Sequence, residues 1–246
     1  MESLDFRKIE LDHVSRPIPE GLGVVPKSVP ITAFGQFEDA KVATLSLNPS
    51  YLEFSNQQGL PLSQEKRRLL SRNGLGISDT EALDPLSAQK AIESFRNYFA
   101  DSANPYKKWF GPMEKRVLAN VGASYWSGSA THLDLSQWAT NPIWNKLGNS
   151  TRDAILETDL PFLKKQIQSR KFDLVLLNGM TVISEISRIG LVSMEVERAE
   201  ERDGKKVIFY SGEALGTTFL GWNWYLQSAI SDSVRDCVSS WLKSKN

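Results

Sequence analysis

A single cysteine, Cys237, is all the thiol chemistry that these 246 residues hold. One thiol cannot close an internal disulfide, so a reducing cytoplasm is the expected setting. It also falls short of the roughly four thiolates that hold an iron–sulfur cluster. Histidine is almost as scarce. His13 and His132 stand far apart, so a His/Cys zinc site is not expected, and no metal or cofactor is implied. No apolar run reaches about 18 residues, so no membrane-spanning segment is expected. The opening MESLDFRKIELDH carries charge from its second residue and lacks the apolar core of a secretory leader. Charge of either sign is not in excess, since Lys+Arg and Asp+Glu are both 29. Bulk charge therefore points to no polyanionic partner, and only a local basic patch could do so. There is no Gly-rich G-x-x-x-x-G-K-[ST] loop, no Asp-rich calcium motif and no repeat.

What is present is enough apolar residue, 41%, for one substantial core, and the whole chain, 1–246, reads as a single domain. Residues 1–40 are punctuated by Pro and Gly and read as an irregular N-terminal arm. AKVATLSL (40–47) is an apolar, β-branched run that stops at Asn48-Pro49-Ser50. Residues 55–90 read as a long loop with short helical pieces, the kind of segment that often carries function. A helix is expected over 86–101 and another from about Pro112 to Asn120. SGSATHLDLSQWAT (127–140) contains a second strand, and 151–170 an amphipathic helix. FDLVLLNG (172–179) is a third strand, followed by the helix TVISEISRIG. Residues 192–211 read as a hairpin turning at Asp203-Gly204. TTFLGWN (217–223) is the last strand, and WYLQSAISDSVRDCVSSWLKSK a long final helix. Alternating strands and helices predict a three-layer αβα sandwich around a central, mostly parallel four-stranded sheet. Ligands of such sheets lie beyond the carboxyl ends of the strands. That singles out Asn48-Pro49-Ser50, Asp134 onward, Asn178-Gly179 and Trp222-Asn223-Trp224.

At these strand ends the chain resembles a known family. SLNPS resembles the Gly-[Ile/Leu]-Asn-Pro-[Gly/Ser] motif of mismatch-specific uracil and thymine DNA glycosylases, a branch of the uracil-DNA glycosylase superfamily. HLDLSQWAT, FDLVLLNGMTVI and GWNWYLQSA are similar, in the same order, to that superfamily's later strand ends. The matched pieces cover about a fifth of the chain, and only the first is moderately specific. The resemblance implies a uracil-DNA glycosylase-like fold and a monofunctional DNA N-glycosylase that leaves an abasic site. Asn48 would then be the catalytic residue, its amide oxygen orienting a water; otherwise it is a helix cap ahead of Pro49. The fast uracil enzymes carry Asp there, and this chain departs from them. An amide is a poor base, so the implied enzyme is slow or favours good leaving groups.

Substrate-contacting residues follow from the same match. Ser50 stands where uracil-specific enzymes place a Tyr that excludes 5-substituted bases, so a more open pocket is implied unless Tyr51 closes it. Asp134 stands where the superfamily often has a uracil-reading Asn. A carboxylate only accepts hydrogen bonds, which suits the exocyclic amine of cytosine and not the carbonyl of uracil. Together these residues imply a 5-substituted cytosine, hydroxymethylated or glucosylated, as found in bacteriophage DNA, and hence an antiviral role. His132, two residues earlier on the strand, faces the same side as Asp134 and contacts it, the DNA or only the core. Asn223 stands in place of the superfamily's second-motif His, to bind phosphate or the departing base, or to cap the final helix. For a flipped base, Phe54 is the first choice of stacking ring and Trp109 the second, with Tyr51, Tyr106 and Phe110 near by. Trp222 and Trp224 are candidates for the wedge loop. Lys107, Lys108 and the run Lys66-Arg67-Arg68 are candidate phosphate contacts. No lysine sits at the four strand ends, so no Schiff-base nucleophile is expected.

DNA is the expected partner, and the protein is expected to be monomeric. Three alternatives stay open: a uracil/thymine mismatch repair enzyme, a catalytically inactive DNA-binding module of the same fold, and a nucleoside hydrolase or deoxyribosyltransferase.

Overall fold

Val42–Ser46, Leu174–Asn178 and Thr217–Trp222 are short runs in which almost every side chain is buried. Buried on both faces, such runs are the sequence signature of parallel strands inside a sheet. The computed structural model pairs them so. It describes residues 2–63, 66–101 and 106–245. In chain order the elements are α1 (Glu2–Val14), β1 (Val42–Ser46), α2 (Arg72–Leu75), α3 (Pro85–Arg96), α4 (Tyr98–Asp101), α5 (Lys107–Arg116), β2 (Ala130–Asp134), α6 (Asn149–Arg170), β3 (Leu174–Asn178), α7 (Met180–Arg188), β4 (Glu195–Arg202), β5 (Lys205–Ala214), β6 (Thr217–Trp222) and α8 (Asp232–Lys243).

The chain divides into two compact units. Met1–Phe34, Leu47–Ala103 and Leu133–Ser169 form the first; Gly35–Ser46, Asn104–His132 and Arg170–Asn246 form the second.

The second unit is built on a sheet of order β2-β1-β3-β6-β5-β4. β1 pairs with β3 and β3 with β6 in parallel; β6 with β5 and β5 with β4 are antiparallel. The sheet therefore has six strands where the sequence led us to expect four. The extra two are the 192–211 hairpin, which adds to the edge of β6 instead of standing apart. Its turn is the expected one, with Asp203 (φ 50) and Gly204 (φ 69) both left-handed, matching the twist of a two-residue hairpin loop. β4 is the sheet's edge, and its sequence EVERAEER is almost all charged, a composition that discourages further strand pairing. On α8 the buried residues Val234, Cys237, Val238, Trp241 and Leu242 recur at three- and four-residue spacing. Trp241 stacks on Phe209 of β5 at 4.6 Å, and burying a ring of that size contributes about 2–3 kcal/mol. This helix is shorter than expected. It begins after Ser231, whose hydroxyl accepts the Val234 N–H, and 224–231 is a turn ahead of it.

In the first unit, α1 replaces the expected irregular arm over 2–14, because Pro and Gly do not enter until Pro17. Glu10 on α1 takes two hydrogen bonds from Arg96 of α3, at 2.7 and 2.8 Å, and one from Thr32 at 2.6 Å. All three are buried, so the pair is stabilising only because each charge meets its partner. α3 starts at an Asp84 cap with Pro85 in its first turn and ends at Arg96, so the helix expected over 86–101 is two, α3 and α4. α6 buries Ile155, Leu156, Asp159, Phe162, Leu163, Gln166 and Ile167, a regular helical stripe with two polar members. Among the described residues, no helix is long and apolar enough to cross a membrane.

Candidate functional site

β1 delivers the chain to Asn48, and the Asn48 side chain is fixed by two donations. Its Nδ2 gives one hydrogen bond to the Trp138 carbonyl (3.1 Å) and one to Thr140 Oγ1 (3.0 Å). Both amide hydrogens are thus committed, which sets the plane of the amide and leaves Oδ1 as its acceptor. The capping alternative does not hold. Ser50 is the cap of the single 3₁₀ turn Tyr51–Glu53, its Oγ accepting the Leu52 N–H at 3.3 Å. The Ser50 side chain is small and its hydroxyl is committed locally. Tyr51 is half-buried in that turn, and Phe54, the first choice of stacking ring, is 5% exposed.

Asp134 closes β2 and is 2% exposed. Its backbone carbonyl accepts from Gln137 Nε2 at 2.9 Å, which opens the run 136–140. Within the same unit lies a residue that sequence reasoning missed. Glu53 is buried, accepts both oxygens' worth of contact from Tyr98 Oη at 3.1 Å, and meets Arg68 Nη1 at 3.3 Å. Burial pushes its carboxyl up to about 7; Arg68 and Tyr98 pull the other way, and the charge of Asp134 adds to the rise. Near neutral pH the first unit thus holds in Glu53 a carboxyl able to exchange a proton, five residues after Asn48. Its signal in the sequence was only its place in SLNPSYLEF, with no partner to mark it. The same contact turns Arg68, one of the candidate phosphate residues, inward; Lys66 is exposed.

The second unit gathers aromatics. His132 is 4% exposed, with Nδ1 at 2.7 Å from Thr44 Oγ1 and Nε2 at 3.4 Å from Ser46 Oγ. Thr44 Oγ1 also lies 2.6 Å from Tyr125 Oη. The Trp109 ring covers His132 at 4.3 Å, and Phe110 meets it edge-on at 5.4 Å. His132 is therefore enclosed by hydroxyls and rings of its own unit. Trp109 and Tyr106 remain half-buried, and Lys107 and Lys108 beside them are exposed. Tyr225 takes a hydrogen bond from the Trp109 side chain, and its phenol is pushed up to about 12, by burial first and by Tyr106 second.

At the β6 end Trp222 is placed differently from expectation, and Asn223 and Trp224 are tied to β5. Trp222 is fully buried and donates Nε1–H to Asn178 Oδ1 at 3.1 Å, so it is core and not a wedge. Asn223 spends its amide on β5, accepting from Ile208 N at 2.9 Å and donating to Lys206 O at 3.0 Å. It braces the strand end through one amide hydrogen and one lone pair of its oxygen. Trp224 donates to Lys206 O at 2.9 Å with Lys205 Nζ 4.7 Å over its ring. The residues this turn exposes are Tyr225 (44%) and, across it, Met180 (41%). Gly179 has φ 102, and a Cβ there would meet Tyr225 Cβ at 3.3 Å, so the turn requires glycine.

Among the described residues, no group of three or more His, Cys, Asp or Glu side chains is arranged to hold a metal ion. Compared with models of known protein families and with curated protein sequences, the chain matches none.

Proposed function

We propose that the protein is a DNA glycosylase that hydrolyses the N-glycosidic bond of a flipped base and leaves an abasic site. The observation that carries this reading is the Asn48 amide, locked by two donations so that its oxygen is presented at the end of a buried strand. Hydrolysis needs a water held at the anomeric carbon, and orientation of that water is the part an amide oxygen can supply. Asn48 Oδ1 accepts one water hydrogen and directs a lone pair at the sugar. An amide does not remove the proton, which passes to solvent or to the departing base, so the step is slow.

The target we propose is a 5-substituted cytosine, hydroxymethylated or glucosylated, and the role antiviral defence. Ser50 is small where a bulky ring would exclude a 5-substituent. Asp134 is an acceptor suited to the cytosine amine. The four strands named from sequence are neighbours in the sheet, in the order β2-β1-β3-β6. Exposed Lys107 and Lys108, half-buried Trp109 and exposed Tyr225 and Met180 offer cations and apolar side chains to a DNA backbone and to an opened stack.

An abasic-site assay tests this on duplexes bearing uracil, a thymine mismatch, 5-hydroxymethylcytosine or its glucosylated form. The expected result is release of a cytosine derivative, lost in Asn48→Ala while DNA binding survives. Release of uracil alone would keep the enzyme class and remove the Ser50–Asp134 argument. Tight DNA binding with no release from any duplex would make the chain a binding module.

A further inference from the structure

We infer that Thr140 and Asp159 are positioning residues for Asn48, an inference that rests on the glycosylase reading above. Thr140 acts directly. It is 1% exposed, and its Oγ1 is the second acceptor for the Asn48 amide. With one acceptor the amide can turn about its last side-chain torsion, which is broad and roughly two-fold. With two, a flip that exchanges NH₂ for oxygen sets Oδ1 against the Trp138 carbonyl, and only the Thr140 hydroxyl can turn to meet it.

Asp159 acts through the chain segment that carries the other acceptor. It stands on the buried stripe of α6 and is fully buried. Its Oδ2 accepts from Ser136 Oγ (2.7 Å) and from Gln137 N (3.0 Å), and its Oδ1 from Arg16 Nη2 (2.9 Å). Ser136 Oγ in turn accepts the Trp138 N–H at 3.1 Å, and the Trp138 carbonyl holds Asn48. The opposite side of the same segment is laced to residues 23–31: Ile31 N to Gln137 O (2.8 Å), Val25 N to Ala139 O (2.9 Å) and Asn141 N to Gly23 O (2.9 Å). Residues 136–141 are thereby held from both sides, and Trp138 O and Thr140 Oγ1 within them hold Asn48. A buried carboxylate on a mostly apolar stripe is an expensive way to hold a helix. It is a direct way to fix the direction of one backbone carbonyl.

The test compares wild type with Thr140→Val, Thr140→Ser and Ser136→Ala. Three quantities are measured: single-turnover base release from whichever duplex the wild type cleaves, the Kd for that DNA, and hydrogen exchange of the Asn48 side-chain amide by ¹⁵N NMR. Thr140→Val is expected to slow release about 10- to 100-fold with Kd unchanged, because a misdirected reacting group costs rate and not affinity. Its Asn48 amide should exchange faster, and Thr140→Ser should restore both rate and protection. Ser136→Ala should reproduce the loss through the Trp138 carbonyl, and it serves as the decisive variant if Thr140→Val does not fold. Wild-type release with a protected Asn48 amide in both Thr140→Val and Ser136→Ala would overturn the inference. If the wild type releases no base at all, the glycosylase reading fails. The amide exchange then decides alone: protection lost in Thr140→Val and regained in Thr140→Ser supports the positioning role, and unchanged protection overturns it.

Discussion

Glu53→Gln is the substitution that most directly tests the buried carboxyl beside Asp134. In the unfolded chain Glu53 titrates near 4.5, and in the folded protein near 7. A raised folded value means the folded state binds the proton more tightly. The stabilising contribution is therefore complete below about 4.5 and is lost as pH rises to about 7. At about 1.4 kcal/mol per pH unit, the interval corresponds to ~3 kcal/mol. Glutamine keeps the shape and stays neutral, so it removes the ionisation; the Arg68 attraction is already contained in the folded value of about 7. Urea unfolding of both proteins should be followed from pH 4 to pH 9. The informative quantity is the difference, because Asp159 and His13 also titrate with altered affinity. Wild type minus Glu53→Gln should fall by about 3 kcal/mol between pH 4.5 and 7 and be flat above. Parallel profiles would show that Glu53 ionises as an exposed glutamate does, and the reasoning would be refuted.

His13 makes the opposite prediction. Burial first, and the adjacent Arg16 second, drive its ring down to about 2, so it is neutral in the fold while the unfolded chain takes a proton near 6.5. Stability is retained above 6.5 and should fall below it by about 1.4 kcal/mol per pH unit, a slope that urea titrations of His13→Gln should lack. Arg96→Ala strands the buried Glu10 carboxylate and should cost about 3–5 kcal/mol in a thermal or urea melt at pH 7; a cost under 1 kcal/mol would show that water reaches the pair.

How much of this was legible in the sequence depended on whether a residue's partners were near it in the chain. β1, β3 and β6 were readable because an unbroken apolar run is a local signal, and so was the Asp203-Gly204 turn. That the hairpin joins β6 was not readable, because pairing is set by partners that the local pattern does not name. Asn48 could be picked out by its place after a strand. Thr140 and Asp159 could not, since each matters only through a contact with a distant segment. The N-terminal 40 residues misled through composition: Pro and Gly are real punctuation over 17–35, but α1 lies ahead of them. At the β6 end the types were right for DNA contact, Trp and Asn. Trp222 fell on the buried face of the strand, and Asn223 was drawn into the backbone of β5.

The two acceptors around Asn48 also bear on which descendants this protein could have. An aspartate at 48, one base change away, would set a carboxylate oxygen against the Trp138 carbonyl, where an N–H now points. Two acceptors at that distance repel, and a backbone carbonyl cannot be substituted away. Thr140 could turn its hydroxyl to donate, which relieves one contact and not the other. A lineage holding this loop is therefore barred from acquiring a carboxylate at this position in a single step. The run 136–140 would have to be rebuilt first, and until then an amide is the chemistry this position accepts.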